Sequence, residues 1–203
     1  MASIYDTIYP KFKKEFTQIE LQEIYTPTEA ELKFADKVTG RKSTKLCFLI
    51  TLKCFQRLGY FISITNVPDS IASHISDFSN ISISETTKLN YNKSGIKKKH
   101  IQIIRELLNV KPFDHEARHL IVTAIGKAAK TKDEPTDLIN IAIEELVKNS
   151  YELPAFSTIE RAVNRIRVSV NRSFYRKIFD SLDEEEVNKI NNLLENDEDL
   201  KST

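Results

Sequence analysis

The sequence predicts an all-α fold built from two small helical modules. Glycine is scarce, with four residues among 203, and apolar residues recur at intervals of three and four far more often than at two. That spacing is typical of helices packed by one face. The hydrophobic fraction of 40% and the chain length support a substantial core.

The first module is predicted to contain four helices, spanning 15–24, 28–38, 43–58 and 69–79. Thr28, followed three residues later by Glu31, predicts a capping box at the start of the second helix. Cys47 and Cys54 stand seven residues apart in an apolar helical pattern, so we expect buried, reduced thiols. The β-branched run after the third helix and Pro68 favour a short extended piece.

The boundary between the two modules is predicted to lie within a polar, weakly patterned segment, residues 80–94. The boundaries are placed at residues 1–88 for the first module, 89–182 for the second and 183–203 for an acidic helical tail or linker. Helical periodicity and end signals predict five further helices, at 95–109, 115–131, 135–150, 158–181 and 184–195. Asp114 is the expected N-cap of the helix at 115, and Ser157 with Glu160 predicts a capping box for the helix at 158.

Charge is unevenly distributed, although the formal net charge is only +1. Residues 1–90 hold 11 basic and 10 acidic side chains, residues 91–182 hold 17 and 11, and residues 183–203 hold 2 and 8. The balances are therefore +1, +6 and −6. The basic middle segment indicates an anionic partner. The acidic tail is typical either of a solubilising helix end or of a linker.

Residues 157–178, "STIERAVNRIRVSVNRSFYRKI", concentrate positive charge on one helical face. At roughly 100° per residue, four arginines fall within about 60° of one another. These four, here called the arginine stripe, are Arg161, Arg165, Arg172 and Arg176. The apolar residues predicted on the opposite side are Ile159, Ala162, Val163, Ile166, Val170, Phe174 and Ile178. Within residues 157–178 the only acid is Glu160, which is not three or four residues from any stripe arginine, and this favours an anionic ligand over an ordinary solvated face.

Two further basic clusters lie near the starts of predicted helices. They comprise Lys97, Lys98, Lys99 and His100, and Arg41, Lys42 and Lys45. Cations and free amides at such positions suit phosphate oxygens. Each cluster alone is more typical of a solvated surface, but three on one chain favour nucleic-acid binding.

The segment "HEARH" at residues 115–119 matches the H-E-x-x-H pattern of zinc hydrolases. On a helix, His115 and His119 would share one face and Glu116 would act as general base. However, His115 is expected in the first helical turn, Arg118 brings a positive charge, and no later histidine supplies a third ligand. The alternative is an ordinary helix start, and we expect neither a metal nor a cofactor.

No segment has the apolar length of a membrane span, and the N-terminus lacks the apolar stretch of a secretory signal. A cytoplasmic location is therefore expected. The sequence also lacks a glycine-rich phosphate loop and a nucleophile elbow. We expect no small-molecule substrate.

Several blocks resemble the N-terminal region of the Tn-three family (class II) of replicative bacterial transposases. They include "KLCFLITLKCFQRLGYF" at 45–61, "HIQIIREL", "FDHEAR" and, most specifically, "ELPAFSTIERAVNRIR" at 152–167. The resemblance covers residues 17–182. The family's "R-x-x-T-R-x-x-H" pattern is only partly kept, because "KSGIKKKH" substitutes lysines and retains His100.

The resemblance implies sequence-specific binding of double-stranded DNA at transposon terminal inverted repeats. The partners would be transposon ends and the remainder of a transposase chain, and the location would be the bacterial cytoplasm, at the nucleoid when bound. The family's metal-dependent acidic triad lies in a distant C-terminal domain, so this chain would have no activity of its own. It also implies that "HEARH" is an ordinary helix start.

The helix at 135–150 and the arginine-rich helix resemble a helix-turn-helix whose later helix lies in or across the major groove. Arg161 and Arg165 would then reach base edges. Arg172, Arg176 and Lys177 would hold phosphates. A helical protein-interaction domain remains the alternative to DNA recognition.

Overall fold

The computed structural model describes residues 3–82 and 84–201, with side chains described up to residue 192. It is 73% helical and confirms the predicted all-α class. Within the described ranges there are ten α-helices and no β-strand, apart from an isolated bridge between Lys111 and Tyr151. No helix of this part is long and apolar enough to cross a membrane.

The ten helices follow one another through short connections. They are α1 (Gln18–Glu20, continued as a π-helical turn over Leu21–Tyr25), α2 (Glu29–Val38), α3 (Lys42–Leu58), α4 (Asp69–Ser79), α5 (Glu85–Lys93), α6 (Gly95–Leu108), α7 (His115–Ala128), α8 (Pro135–Lys148), α9 (Phe156–Ser181) and α10 (Glu184–Lys201).

Helix α3 forms the centre of the first hydrophobic cluster. Every residue from Leu46 to Phe55 is buried, which is expected of a helix surrounded by others. Helices α2, α4, α5 and α6 pack around it. Cys47 and Cys54 are free thiols in this cluster, and burial raises the pKa of each to about 12.

The first cluster extends across the predicted boundary between residues 88 and 89. Residues 85–93, predicted as part of a linker, form helix α5, and its Tyr91 is buried. Ile104 of α6 is fully buried in the same cluster. Apart from the N-terminal segment and Tyr60, which pack on the second cluster, the residues up to Val110 belong to the first cluster and those from Phe113 onward to the second.

Helices α7, α8 and α9 pack on one another as a three-helix unit around the second cluster. Ala117, Ile121 and Ile125 recur every four residues and bury one face of α7. The N-terminal segment joins this unit, because Tyr9 is buried against Tyr60 and Phe156.

Glu152 connects the two clusters. Its carboxylate accepts hydrogen bonds from Arg105 Nε at 2.9 Å and Nη2 at 2.8 Å, and from the Phe113 amide at 3.1 Å. Beside it, the Leu153 amide donates to the Gly59 carbonyl. Gly59 has a φ of 72°, a left-handed conformation in which glycine is strain-free.

Helix starts follow the capping predictions in two cases and depart from them in one. The Thr28–Glu31 capping box is present, and Asp114 caps α7 through the Ala117 amide. The predicted Ser157 box is wrong. Helix α9 begins at Phe156 after Ala155, without a side-chain cap. The extended piece predicted before Pro68 contains a 3-10 turn over Ile64–Asn66.

Helix α9 extends beyond its contacts with the second cluster, which end at Val170. Ile159 and Val163 are buried, and Ile166 and Val170 are half-buried on the second cluster. Farther along, Phe174 is 60% exposed and Ile178 is also exposed. The predicted apolar face is therefore packed only in the first half of the helix.

Candidate nucleic-acid interface

All four side chains of the arginine stripe are exposed on α9. Arg161 Nε donates to the Ser157 carbonyl oxygen at 2.9 Å, which holds this side chain along the first turn. No stripe arginine forms a salt bridge with a described residue. The guanidinium groups therefore present positive charge to the solvent.

Arg167 shows the contrasting arrangement on another side of the same helix. Its Nε and Nη2 donate to the Asp133 carboxylate at 2.7 and 3.2 Å, and Asn171 adds a bond at 3.3 Å. The hydrogen bond from Arg167 lowers the pKa of Asp133. Asp133 thus neutralises an arginine away from the stripe, whereas the stripe arginines have no salt-bridge partner among the described side chains.

A groove between α7 and α9 brings Arg118 close to the start of the stripe. Its volume is about 370 Å³, and Arg118, Arg161 and Arg165 lie along it. The apolar lining includes Ile121, Val122, Ala162 and Ile166. Arg118 also lies over the ring of Phe113, 5.4 Å from its centroid. Sequence patterns alone do not group Arg118 with the stripe, because the packing of α7 on α9 is a tertiary feature.

Lys177 lies apart from the stripe. It lines a second groove with Lys130 and Lys132, beside the loop between α7 and α8. Lys132 is partly engaged by Asp137 at 3.0 Å. Phe174 contributes an exposed aromatic ring to this groove. Lys177 therefore belongs to a separate basic patch.

The cluster at 97–100 divides into exposed and occupied side chains. Lys98 and Lys99 are exposed. Lys97 Nζ donates to the Ile62 carbonyl at 3.2 Å and to Asn92 Oδ1 at 3.1 Å, and burial lowers its pKa. Lys97 therefore links α6 to the loop before α4.

His100 lies in the core, which removes it from the candidate DNA contacts. It is 3% exposed, its Nδ1 forms a hydrogen bond with the Tyr91 hydroxyl at 3.0 Å, and its ring packs edge-on against Phe48. Burial, assisted by Lys99, lowers the pKa of His100 from 6.5 to about 4. The imidazole is neutral at pH 7 and has no exposed surface for a phosphate.

The buried imidazole predicts a pH-dependent stability. In the unfolded chain the imidazole of His100 binds a proton below about pH 6.5, whereas in the folded chain it binds one only below about pH 4. The free energy of unfolding should therefore fall as pH falls through this window, by at most about 1.4 kcal/mol per pH unit. The free energy of unfolding, measured by urea denaturation at several pH values, should depend less steeply on pH in His100→Gln than in the parent. His119→Gln, at an exposed site, should keep the parental pH dependence. Equal slopes for the parent and His100→Gln would contradict this assignment.

The third cluster lies at the start of α3. Arg41 and Lys42 are exposed. Lys45 forms a salt bridge with Asp36 at 2.7 Å, so its charge is partly compensated. Arg41 and Lys42 thus remain as candidate contacts on the first cluster's surface.

The "HEARH" segment forms an ordinary helix start. His115 and His119 are both exposed, and Glu116 accepts a hydrogen bond from the Tyr151 hydroxyl at 3.3 Å. In the part of the chain that is described, no group of three or more histidine, cysteine or acidic side chains converges to hold a metal ion. The geometry therefore provides no third ligand for a zinc site among these residues.

The fold and the stripe define a helical chain in which one long helix carries four exposed arginines on one face. The chain belongs to the family described as "Domain of unknown function (DUF4158)", which matches residues 4–166. This match includes the first half of the stripe and both hydrophobic clusters.

Two curated relatives are transposases. The chain is 22% identical over 196 residues to the transposase for transposon Tn1546 of Enterococcus faecium, which covers 93% of this chain and 20% of the relative. It is 24% identical over 180 residues to the transposase for transposon Tn501 of Pseudomonas aeruginosa. This alignment covers 88% of the chain and 18% of the relative. The chain is thus related to transposases and spans about a fifth of the length of these relatives.

Proposed function

We propose that this chain binds double-stranded DNA sequence-specifically at the terminal inverted repeats of a transposon. The proposal rests on the exposed arginine stripe on α9, which forms no salt bridge within the described residues, in a chain related to transposases. Four aligned guanidinium groups match the repeating negative charge of a duplex. The role is DNA recognition during transposition, and the proposal assigns this chain no strand-joining step.

The stripe has two parts with different roles in this proposal. Helices α8 and α9 act as a helix-turn-helix, and the first half of α9 lies in the major groove. Arg161 and Arg165 are near the helix start and contact base edges, where a bidentate pair with guanine discriminates by about 1–3 kcal/mol. Arg172 and Arg176 lie about two turns farther along and contact phosphates.

The first cluster supplies a second, weaker contact surface in this proposal. Arg41, Lys42, Lys98 and Lys99 are exposed cations that contact the DNA backbone outside the segment contacted by α9. His100, Lys97 and Lys45 are not included, because their side chains are buried or engaged within the protein. The remainder of a transposase chain is the second partner.

Salt dependence tests the proposal directly. If six to ten phosphate contacts form, affinity for a fluorescent duplex should fall by roughly a thousandfold or more between 50 and 200 mM salt. A terminal-repeat duplex should bind more tightly than a scrambled duplex at every salt concentration. Equal, salt-insensitive affinities for the two duplexes would oppose the proposal.

A helical protein-interaction domain is the second candidate function. The exposed aromatic side chains in the second half of α9, Phe174, Tyr175 and Phe179, favour it, because exposed apolar patches often mark protein contacts. This candidate predicts weak DNA binding without sequence preference. The same titration therefore separates the two candidates.

A further inference from the structure

The groove between α7 and α9 combines two properties that one ligand must satisfy. Its edges carry Arg118 from α7 and Arg161 and Arg165 from α9. Its lining includes apolar side chains, and Val122 is 47% exposed there. A small inorganic anion would use the arginines but gain nothing from the apolar surface.

We propose that this groove holds a segment of DNA backbone and that Arg118 is a phosphate-binding residue. The inference rests on the proposed function and adds a site on a second helix. A nucleotide backbone fits both properties of the groove, because its phosphates are anionic and its deoxyribose rings have apolar faces. The occupant is therefore a sugar–phosphate strand of a duplex whose bases face α9.

The position of Arg118 is suited to this role. Its guanidinium lies over the Phe113 ring, which limits its motion before binding, and it forms no salt bridge with a described residue. Arg118 is repelled by Arg161 and Arg165 across the groove, and a phosphate bound by Arg118 relieves this repulsion while Arg161 and Arg165 remain directed at the bases. The groove therefore contributes affinity for any sequence and fixes the position of α9 on the duplex.

Paired variants on α7 test the site by anisotropy titration on repeat and scrambled duplexes. Arg118→Ala should weaken both duplexes alike, by about five- to tenfold, and reduce the salt slope by about one. Lys127→Ala is the matched control, because Lys127 is an exposed cation on the same helix outside the groove. It should stay within about twofold of the parent on the same reasoning.

A second pair places a new charge in the groove. Val122→Glu should weaken both duplexes more than Arg118→Ala does, because it brings a carboxylate toward the phosphates. Val122→Lys should bind at least as tightly as the parent. Thr123→Glu adds the same negative charge at an exposed position outside the groove and should have a smaller effect. Thermal melting followed by circular dichroism establishes that each variant is folded.

The outcomes separate this inference from the proposed function. Parental binding by Arg118→Ala, or equal binding by Val122→Glu and Val122→Lys, overturns the groove site. If the variant lacking all four stripe arginines still loses DNA binding in that case, the proposed function stands without the groove. If the stripe variant also binds like the parent, both proposals fail.

Discussion

Replacing Arg161, Arg165, Arg172 and Arg176 together by alanine is expected to abolish specific duplex binding and leave the fold intact. If each arginine contributes about 1 kcal/mol, which is the low end for such contacts, the loss is about a thousandfold. The four side chains are exposed and make no salt bridge with described residues. Each substitution should therefore change the free energy of unfolding by no more than about 0.5 kcal/mol.

Arg167→Ala provides the matched control for this variant. It removes the same side chain from the same helix, but at a position paired with Asp133 and off the stripe. Binding should change little, since this charge is already compensated within the protein. A fourfold alanine variant that melts normally and binds as the parent does would identify the stripe as a solvated face.

Single substitutions should distinguish base contacts from phosphate contacts. Arg161→Ala or Arg165→Ala should reduce affinity for the repeat more than for the scrambled duplex. Arg172→Ala or Arg176→Ala should weaken both alike and reduce the salt slope by about one. The reverse pattern would exchange the roles of the two halves of α9.

The second large effect is expected at Glu152, which joins the two hydrophobic clusters. The side chains of Arg105 and Glu152 are 25% and 13% exposed, so their pairing is only weakly screened by solvent. Glu152→Ala would leave the Arg105 guanidinium and the Phe113 amide without their acceptor. We expect a loss of about 2–4 kcal/mol in the free energy of unfolding, measured by urea denaturation.

Glu144→Ala is the control for this loss, because Glu144 is exposed on α8. It should stay within about 0.5 kcal/mol of the parent. In a double-mutant cycle, Arg105→Ala combined with Glu152→Ala should cost less than the sum of the two single losses. Additive losses would show that the pair does not couple the clusters.

Sequence periodicity was sufficient for the fold class and for most helices, because burial of one face leaves a local pattern. Helix α3 and the Thr28 cap are examples. Periodicity does not predict helix α5, because its sequence is polar and weakly amphipathic. Its place depends on Tyr91 reaching the core beside Thr51. Such a tertiary contact leaves no local periodicity to detect.

In the candidate site, too, some features follow from the local sequence and others depend on tertiary packing. Exposure of the stripe followed from helical geometry alone. Adjacency in sequence places His100 with Lys98 and Lys99, but the turn of α6 directs the His100 ring to Phe48 instead. Arg118 lies more than 40 residues from Arg161 along the chain, and only the packing of α7 against α9 brings both to one groove.

The central claim is that this chain recognises transposon ends, and hydroxyl-radical footprinting of the purified chain on such DNA tests it most directly. The duplex should carry the terminal inverted repeat of the chain's own element within flanking DNA of unrelated sequence. Protection is expected to be confined to the repeat, to be lost in the variant without the four stripe arginines and to be retained in Arg167→Ala. Protection spread evenly over repeat and flanking DNA, or none at all at low salt, would contradict this claim.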